Sequence, residues 1–297
     1  MPALTARCKG CGRPIQGDAL AALDAYWHPD HFRCAGCGAP IRETRFDIDA
    51  GRPWHESCFL RMKAPRCAHC GKPIAGARYQ DPWGAWYCAA HAAELDRCPY
   101  CDRSIPPGGC AACRATAVTT PEQAQPIFTH VLHWCKQQGL RFAGARFRVQ
   151  LYDQAKMSQA AGAPSSGVPL GFTRIATHFV GGQVLERKVL AMNLVRGLPA
   201  ILFESLAAHE LGHVWLGLHG VCVASKPREE GFCQYLSYRY LRQSADPAAS
   251  YYAHRIEADE DPVYGGGFRA VRPRADQLGL PRFVSELAAP SQGRQRS

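Results

Sequence analysis

No run of about 18 apolar residues occurs in the chain, because Glu204 and His209 interrupt the best one, so no helical membrane span is expected. The opening residues MPALTARCKGCG lack the apolar core of a secretory leader. A cytoplasmic location follows as the expectation, and disulfides are not expected there. Methionine is scarce: Met1, Met62, Met157 and Met192 are all four, and none follows residue 192. A basic stripe interleaved with aromatics is also lacking, since the arginines are scattered. Nucleic acid therefore ranks last among partners despite a formal charge of +10. Cysteine is nearly absent after residue 113, where only Cys135, Cys222 and Cys233 remain.

The other twelve of the fifteen cysteines crowd between Cys8 and Cys113. In a reducing setting, paired C-x-x-C spacings read as zinc ligands rather than as disulfides. A first set runs Cys8-x2-Cys11, then His28-x2-His31-x2-Cys34-x2-Cys37, then His55-x2-Cys58. Two ligands two residues apart fit one tight knuckle, and four make one tetrahedral site, so these eight make two sites. A second set runs Cys67-x2-Cys70, Cys88-x2-His91, Cys98-x2-Cys101 and Cys110-x2-Cys113. Sixteen ligands fill four sites and leave no early cysteine over. His69 lies within a knuckle and is not needed. Short segments with few large apolar residues need such metal staples to fold.

The first set, with YWHPDHFRCAGC at its centre, resembles a LIM domain, a double zinc finger used mainly to bind proteins. The resemblance implies one site from Cys8, Cys11, His28 and His31 and a second from Cys34, Cys37, His55 and Cys58. His31 stands where that pattern usually has cysteine, and imidazole is an acceptable ligand. The second set reads as a degenerate LIM-like module with two further zinc ions. Twelve thiolates outweigh the eight positive charges of four zinc ions by four, and a fifth ion restores two, leaving about +8.

After residue 113 the pattern changes. RATAVTTPEQAQ, residues 114–125, is small and polar and reads as a linker ending in a helix start, with Thr120 as cap and Pro121 in the first turn. IFTHVLHWCKQQGL continues at helical period, with His130 and His133 at the edge of a core. RFRVQLYD, GFTRIATHF and GQVLERKVLAMNLV read as strands, and AAGAPSSGVPLG as a loop. LPAILFESLAAHELGHVWLGLHG then reads as a buried helix ending near Gly217 or Gly220. It sets His209 and His213 on one face, one turn apart, able to grip one ion, with Glu210 beside that ion.

Two residues compete to be the third ligand. His219 has the metzincin spacing, yet Leu216 occupies the glycine position of that pattern and no methionine follows for its turn. His219 is expected near helix-end carbonyls instead. The alternative lies in REEGFCQYLSYRYL, a second helix in which Glu230 is separated from His213 by sixteen residues. Gluzincins take a glutamate from a helix at about this distance. Glu229 or Glu230 could serve, and Glu230 is favoured because Gly231 beside it permits close approach.

Together, the LIM pattern, LAAHELGHVWL, EEGFCQYL and HRIEADEDPVYGGGFR resemble the LIM-domain zinc peptidases that restrict organ growth in plants, and their bacterial relatives. The likeness runs from Cys8 to about Leu287. It implies an α+β architecture: tandem LIM and LIM-like zinc-ribbon modules followed by a gluzincin-type HExxH metallopeptidase domain. The expected division is 1–64 LIM, 65–116 LIM-like double zinc module, 117–288 peptidase and 289–297 disordered tail. It also implies one catalytic and four structural zinc ions, with His209, His213 and Glu230 as ligands and Glu210 as general base. Tyr264 is the first candidate for an oxyanion donor, ahead of Tyr238 and His254. Glu257 and Asp259 are candidate partners of the ligand histidines, and RKVLAMNLV is a candidate edge for peptide addition. Protein substrates and protein partners of the LIM modules are expected. Ubiquitin recognition stays open, since family members in plants carry ubiquitin-interacting helices ahead of the LIM domain and seven residues precede Cys8 here. The competing readings are a LIM-type adaptor with an inactive peptidase domain and a nucleic-acid-associated zinc protease.

Overall fold

The computed structural model describes residues 6–105, 110–142, 144, 148–161, 169–181, 183–221 and 225–288. Residues 162–168 of the expected loop, Cys222 and the expected disordered tail fall outside the described residues. The chain divides into two compact units, one of residues 1–98 and 102–109, the other of residues 99–101 and 110–297.

The first unit is built from short hairpins. β1 (Leu20–Ala22) pairs with β2 (Ala25–Trp27), β3 (Asp47–Asp49) with β4 (Arg52–Trp54), and α1 (Glu56–Met62) follows. β5 (Arg78–Gln80) pairs with β6 (Trp86–Cys88), α2 (Ala89–Glu94) follows, and β7 (Asp96–Arg97) pairs with β8 (Ser104–Ile105). The first two hairpins turn through residues at positive φ, Leu23 with Asp24 and Ala50 with Gly51, which matches the right-handed twist of the strands they join.

One knuckle recurs three times in this unit. Arg7, Arg33 and Arg66 each send a guanidinium N–H to the carbonyl of Gly12, Gly38 and Gly71, five residues on. Each glycine has positive φ, so the chain turns tightly between the two cysteines and the following proline. Ile15, Ile41 and Ile74 then close each knuckle as buried side chains. The apolar clusters beneath are small: Phe32, Ile41 and Trp54 around Cys34 and Cys58, and Ile74 with Tyr87 around Cys67.

The second unit carries the large core. It begins with α3 (Ala111–Ala115), β9 (Ala117–Val118) and α4 (Pro121–Gln137). The segment read as a linker is thus partly ordered, because β9 pairs with β13 (Leu198–Pro199). Thr120 accepts the Gln123 N–H while the Gln123 side chain returns to the Thr120 N–H, a capping box with Pro121 beside it. β10 (Val149–Tyr152) and α5 (Gln154–Ala161) lead to the hairpin β11 (Gly171–Val180) and β12 (Gln183–Val195). The sheet order is β10-β12-β11, with β12 parallel to β10 and antiparallel to β11. RKVLAMNLV is therefore central only in part: Met192–Val195 lie between β10 and β11, with Met192 and Leu194 fully buried, while residues 187–191 pair with β11 alone among the described residues, and β10 and β11 are the outer strands.

α6 (Ala200–His219) lies against this sheet, α4 and the next helix. Twelve of its residues are buried, so it is apolar nearly all round, as a helix enclosed by other elements must be. It ends at Gly220, whose φ of 61° terminates the helix, with the C-terminal turn under the Arg187 guanidinium. α7 (Lys226–Gln243), α8 (Ala249–Ala258), α9 (Tyr264–Leu278) and α10 (Leu280–Ala288) complete the unit. Among the described residues no helix is long and apolar enough to cross a membrane.

Candidate metal centre

Helical geometry brings His209 and His213 to the same side of α6, with their Nε2 atoms 3.2 Å apart. α7 crosses at this level and turns Glu230 inward. Its Oε2 lies 3.2 Å from His209 Nε2 and 3.3 Å from His213 Nε2. Zinc bonds of about 2.0–2.1 Å in a tetrahedron hold donor atoms roughly 3.3 Å apart, so the three atoms fit one face of such a site. The crossing can be this close because position 212 has no side chain. A Cβ there would sit 2.8 Å from Cys233 Sγ and 3.0 Å from Leu236 Cδ1.

Further groups orient these three. Glu229 Oε1 accepts from His213 Nδ1 at 3.1 Å, which places the imidazole proton on Nδ1 and leaves Nε2 free to ligate. Lys226 Nζ donates to Glu230 Oε1 at 2.9 Å, leaving Oε2 for the centre. Burial opposes the charge on Glu230, yet the adjoining His209 and His213 imidazoles hold its carboxyl far below the usual range. Burial likewise opposes charging His213, and the Cys233 sulfur, Glu229 and Glu230 reverse that and raise it. Cys233 is fully buried three residues after Glu230, its sulfur within 4.8 Å of a ring nitrogen of each histidine. None of Lys226, Glu229 as acceptor, or Cys233 was anticipated for these roles. The i, i+3 and i, i+4 spacings from Glu230 were the available signal for Lys226 and Cys233.

Glu210 is 4% exposed and its Oε2 accepts from Thr173 Oγ1 on β11 at 2.8 Å. Tyr264 is not in a loop. It is the first residue of α9, its ring 6.4 Å from the His209 ring and 37% exposed. Burial, then the Glu230 charge, pushes its phenol up. Of the glycines after it, Gly267 serves packing rather than loop freedom: a Cβ on Gly231 would strike the Gly267 carbonyl, and one on Gly267 would strike the Pro227 carbonyl.

Other sequence candidates lie elsewhere. His219 Nδ1 donates to the Trp215 carbonyl at 3.0 Å, at the end of α6. Tyr238 donates to Glu257 at 2.8 Å, and Arg272 binds the same carboxylate, so Glu257 ties α7, α8 and α9 and does not orient a ligand histidine. Asp259 accepts the Asp261 N–H and His254 is exposed on α8. His130 and His133 are exposed on α4.

Four further groups of donors converge within 4.8 Å: Cys8, Cys11, His28 and His31; Cys34, Cys37, His55 and Cys58; Cys67, Cys70, Cys88 and His91; Cys98, Cys101, Cys110 and Cys113. In the first, Cys8 to His31, Cys11 to His28 and His28 to His31 measure 3.5, 3.5 and 3.2 Å between donor atoms, the edges of a small tetrahedron. Burial opposes ionisation of Cys8, Cys34 and Cys67, but surrounding N–H groups outweigh it. They bring the thiols down to about 5, about 6 and about 5, so each of these sites begins with a thiolate poised for metal.

Against known proteins, residues 8–53 match the LIM domain model and residues 173–250 match the model described as DA1-like, Protein DA1. The chain resembles the DA1 proteins. It is 27% identical to Protein DA1-related 2 of Arabidopsis thaliana over 94% of this chain and 68% of that protein. Identity to Protein DA1 of the same plant is 26%, over 94% of this chain and 66% of that protein. Identity to LIM domain-containing protein HDR3 of Oryza sativa subsp. japonica is 25%, over 94% and 72%. The family resemblance read from the sequence thus holds over most of the chain, which spans about two thirds of the length of Protein DA1. The DA1-like match contains Thr173, His209, Glu210, His213 and Glu230, and the LIM match begins at the first ligand of the first zinc group.

Proposed function

We propose that the chain is a zinc-dependent peptidase of gluzincin type, residues 117–288, cleaving protein substrates. Its modules at 1–64 and 65–116 each hold two structural zinc ions and bind or respond to partner proteins. The observation that carries this reading is the triangle of His209 Nε2, His213 Nε2 and Glu230 Oε2, with sides of 3.2, 3.2 and 3.3 Å. When bound there, zinc would supply Lewis-acid polarisation of water and of the scissile carbonyl. Glu210, beside His209, takes the proton from the attacking water and passes it to the leaving amine. Tyr264, at the rim, donates to the carbonyl oxygen as negative charge develops on it. The outer edge of β11, unpaired among the described residues, belongs to a strand that packs on α6 and suits an extended peptide added as a strand. The resemblance to the plant peptidases supports the reading, leaves ubiquitin open as a partner, and accords with a cytoplasmic site of action.

The test is digestion of fluorescently labelled, denatured casein by the zinc-loaded chain, by Glu210→Gln, and by both after chelation. Turnover should fall at least about a hundredfold in Glu210→Gln while zinc content is unchanged, and chelation should abolish the remainder. Wild-type turnover by Glu210→Gln, or turnover indifferent to chelator, would refute the reading.

A further inference from the structure

The general base is seated by a strand 37 residues away in sequence. Thr173 pairs with Met192 and Gly171 with Leu194, and both of those β12 residues are fully buried, so Thr173 and Gly171 share the inward face of β11. Thr173 Oγ1 donates to Glu210 Oε2 at 2.8 Å. Gly171 meets the other oxygen: a Cβ there would stand 2.9 Å from Glu210 Oε1 and 3.3 Å from its Cγ. One strand therefore binds one carboxylate oxygen with a hydroxyl and leaves room for the other with a bare backbone. A buried carboxylate needs a donor, and Thr173 is its one hydrogen-bond donor among the described residues.

We infer that Thr173 is a positioning residue for the peptidase reaction, and that β11 sets the base. The hydroxyl holds Glu210 in one rotamer with Oε1 turned to the attacking water, and Gly171 keeps that place clear. Because β11 is also the edge proposed to receive the substrate, strand addition and base placement share one element. The inference rests on the peptidase reading above.

Thr173→Val removes the hydroxyl and keeps the branched shape suited to a strand. On labelled casein its kcat should fall roughly 10–100-fold with KM within about twofold, the size of effect expected of a displaced base. Zinc content should match wild type, while the melting temperature should drop, because the buried carboxylate loses its donor. Thr173→Ser should restore kcat to within about threefold, a rescue that a purely structural role does not predict. Gly171→Ala, which keeps the hydroxyl but crowds Oε1, should also lower kcat, and combining it with Thr173→Val should cost less than the product of the two. Should Thr173→Val fail to fold, Thr173→Ala against Thr173→Ser gives the same comparison. Equal kcat in an active wild type and Thr173→Val, or in Ala and Ser variants, overturns the inference alone. A zinc-loaded wild type that cleaves nothing overturns the peptidase reading and the inference together.

Discussion

Adding one methyl group to Gly231 should weaken the second unit, and adding one to Gly266 should strengthen it. A Cβ on Gly231 would fall on the carbonyl of Gly267, with Gly267 Cα at 2.9 Å. The obstacle is backbone, so no rotamer can turn away and α7 and α9 must separate. Overpacking of this kind costs about 3 kcal/mol, the upper end of the usual range. Replacing a helical glycine by alanine returns about 1 kcal/mol, leaving a net loss of about 2 kcal/mol. For a unit of this size that lowers the melting temperature by roughly 4–8 °C. Gly266, on α9 beside Gly267, faces only Asp261 O at 3.7 Å, an ordinary contact. Gly266→Ala keeps the propensity gain and should melt roughly 2–4 °C higher than wild type. The assay is thermal unfolding of the full chain at fixed zinc concentration, followed by near-ultraviolet circular dichroism. Gly231→Ala should also bind zinc more weakly, since Glu230 is the adjacent residue. Equal midpoints, or the reverse order, would refute the claim that contact between glycines on α7 and α9 holds this unit together.

Glu229→Gln weakens the acceptor for His213 Nδ1 and should lower zinc affinity roughly 10–100-fold in a chelator competition, whereas unchanged affinity would remove Glu229 from the centre. Glu257 is held below the usual carboxylate range by the Tyr238 hydroxyl and then by Arg272, with burial opposing. A depressed carboxyl stabilises the fold above the unfolded value near 4.5, and that contribution disappears as pH falls through the lower, folded value. With its side chain 37% exposed, solvent screening limits this to about 0.5 kcal/mol. Glu257→Gln should therefore melt slightly below wild type at neutral pH and with it in strong acid; a constant gap across pH would contradict the assignment.

Much of the ligand set was legible because it is local. A C-x-x-C knuckle and two histidines four apart on a helix depend on neighbours within one turn, and the structure brings together the groups that spacing suggests. Glu230 could be favoured over Glu229 only by inference, and the rotation of α7 separates them: one faces the triangle, the other His213 Nδ1. Contacts between distant segments were not legible. Thr173 meets Glu210 only through the sheet register, and nothing in GQVLERKVLAMNLV tells a central strand from an edge. The run Gly265–Gly267 reads as a loop by propensity, but packing overrides propensity: the Asp259 backbone requires glycine at 265 and the Pro227 carbonyl of α7 requires it at 267, while 266 has room for a side chain. β9 is two residues long, too short for any period to appear.

The hairpin of β11 and β12 carries two irregularities, at Arg174/Ile175 and His178/Phe179, where Leu190 and Leu185 go unpaired and stand exposed. Each extra residue bends the ribbon and increases its coiling. Between them only residues 175–178 run in regular register. A second molecule of this protein approaching side by side would find no long flat ladder to continue, whereas a single pliable peptide can follow the bend. The kinks thus guard an open strand against its own kind while leaving it usable.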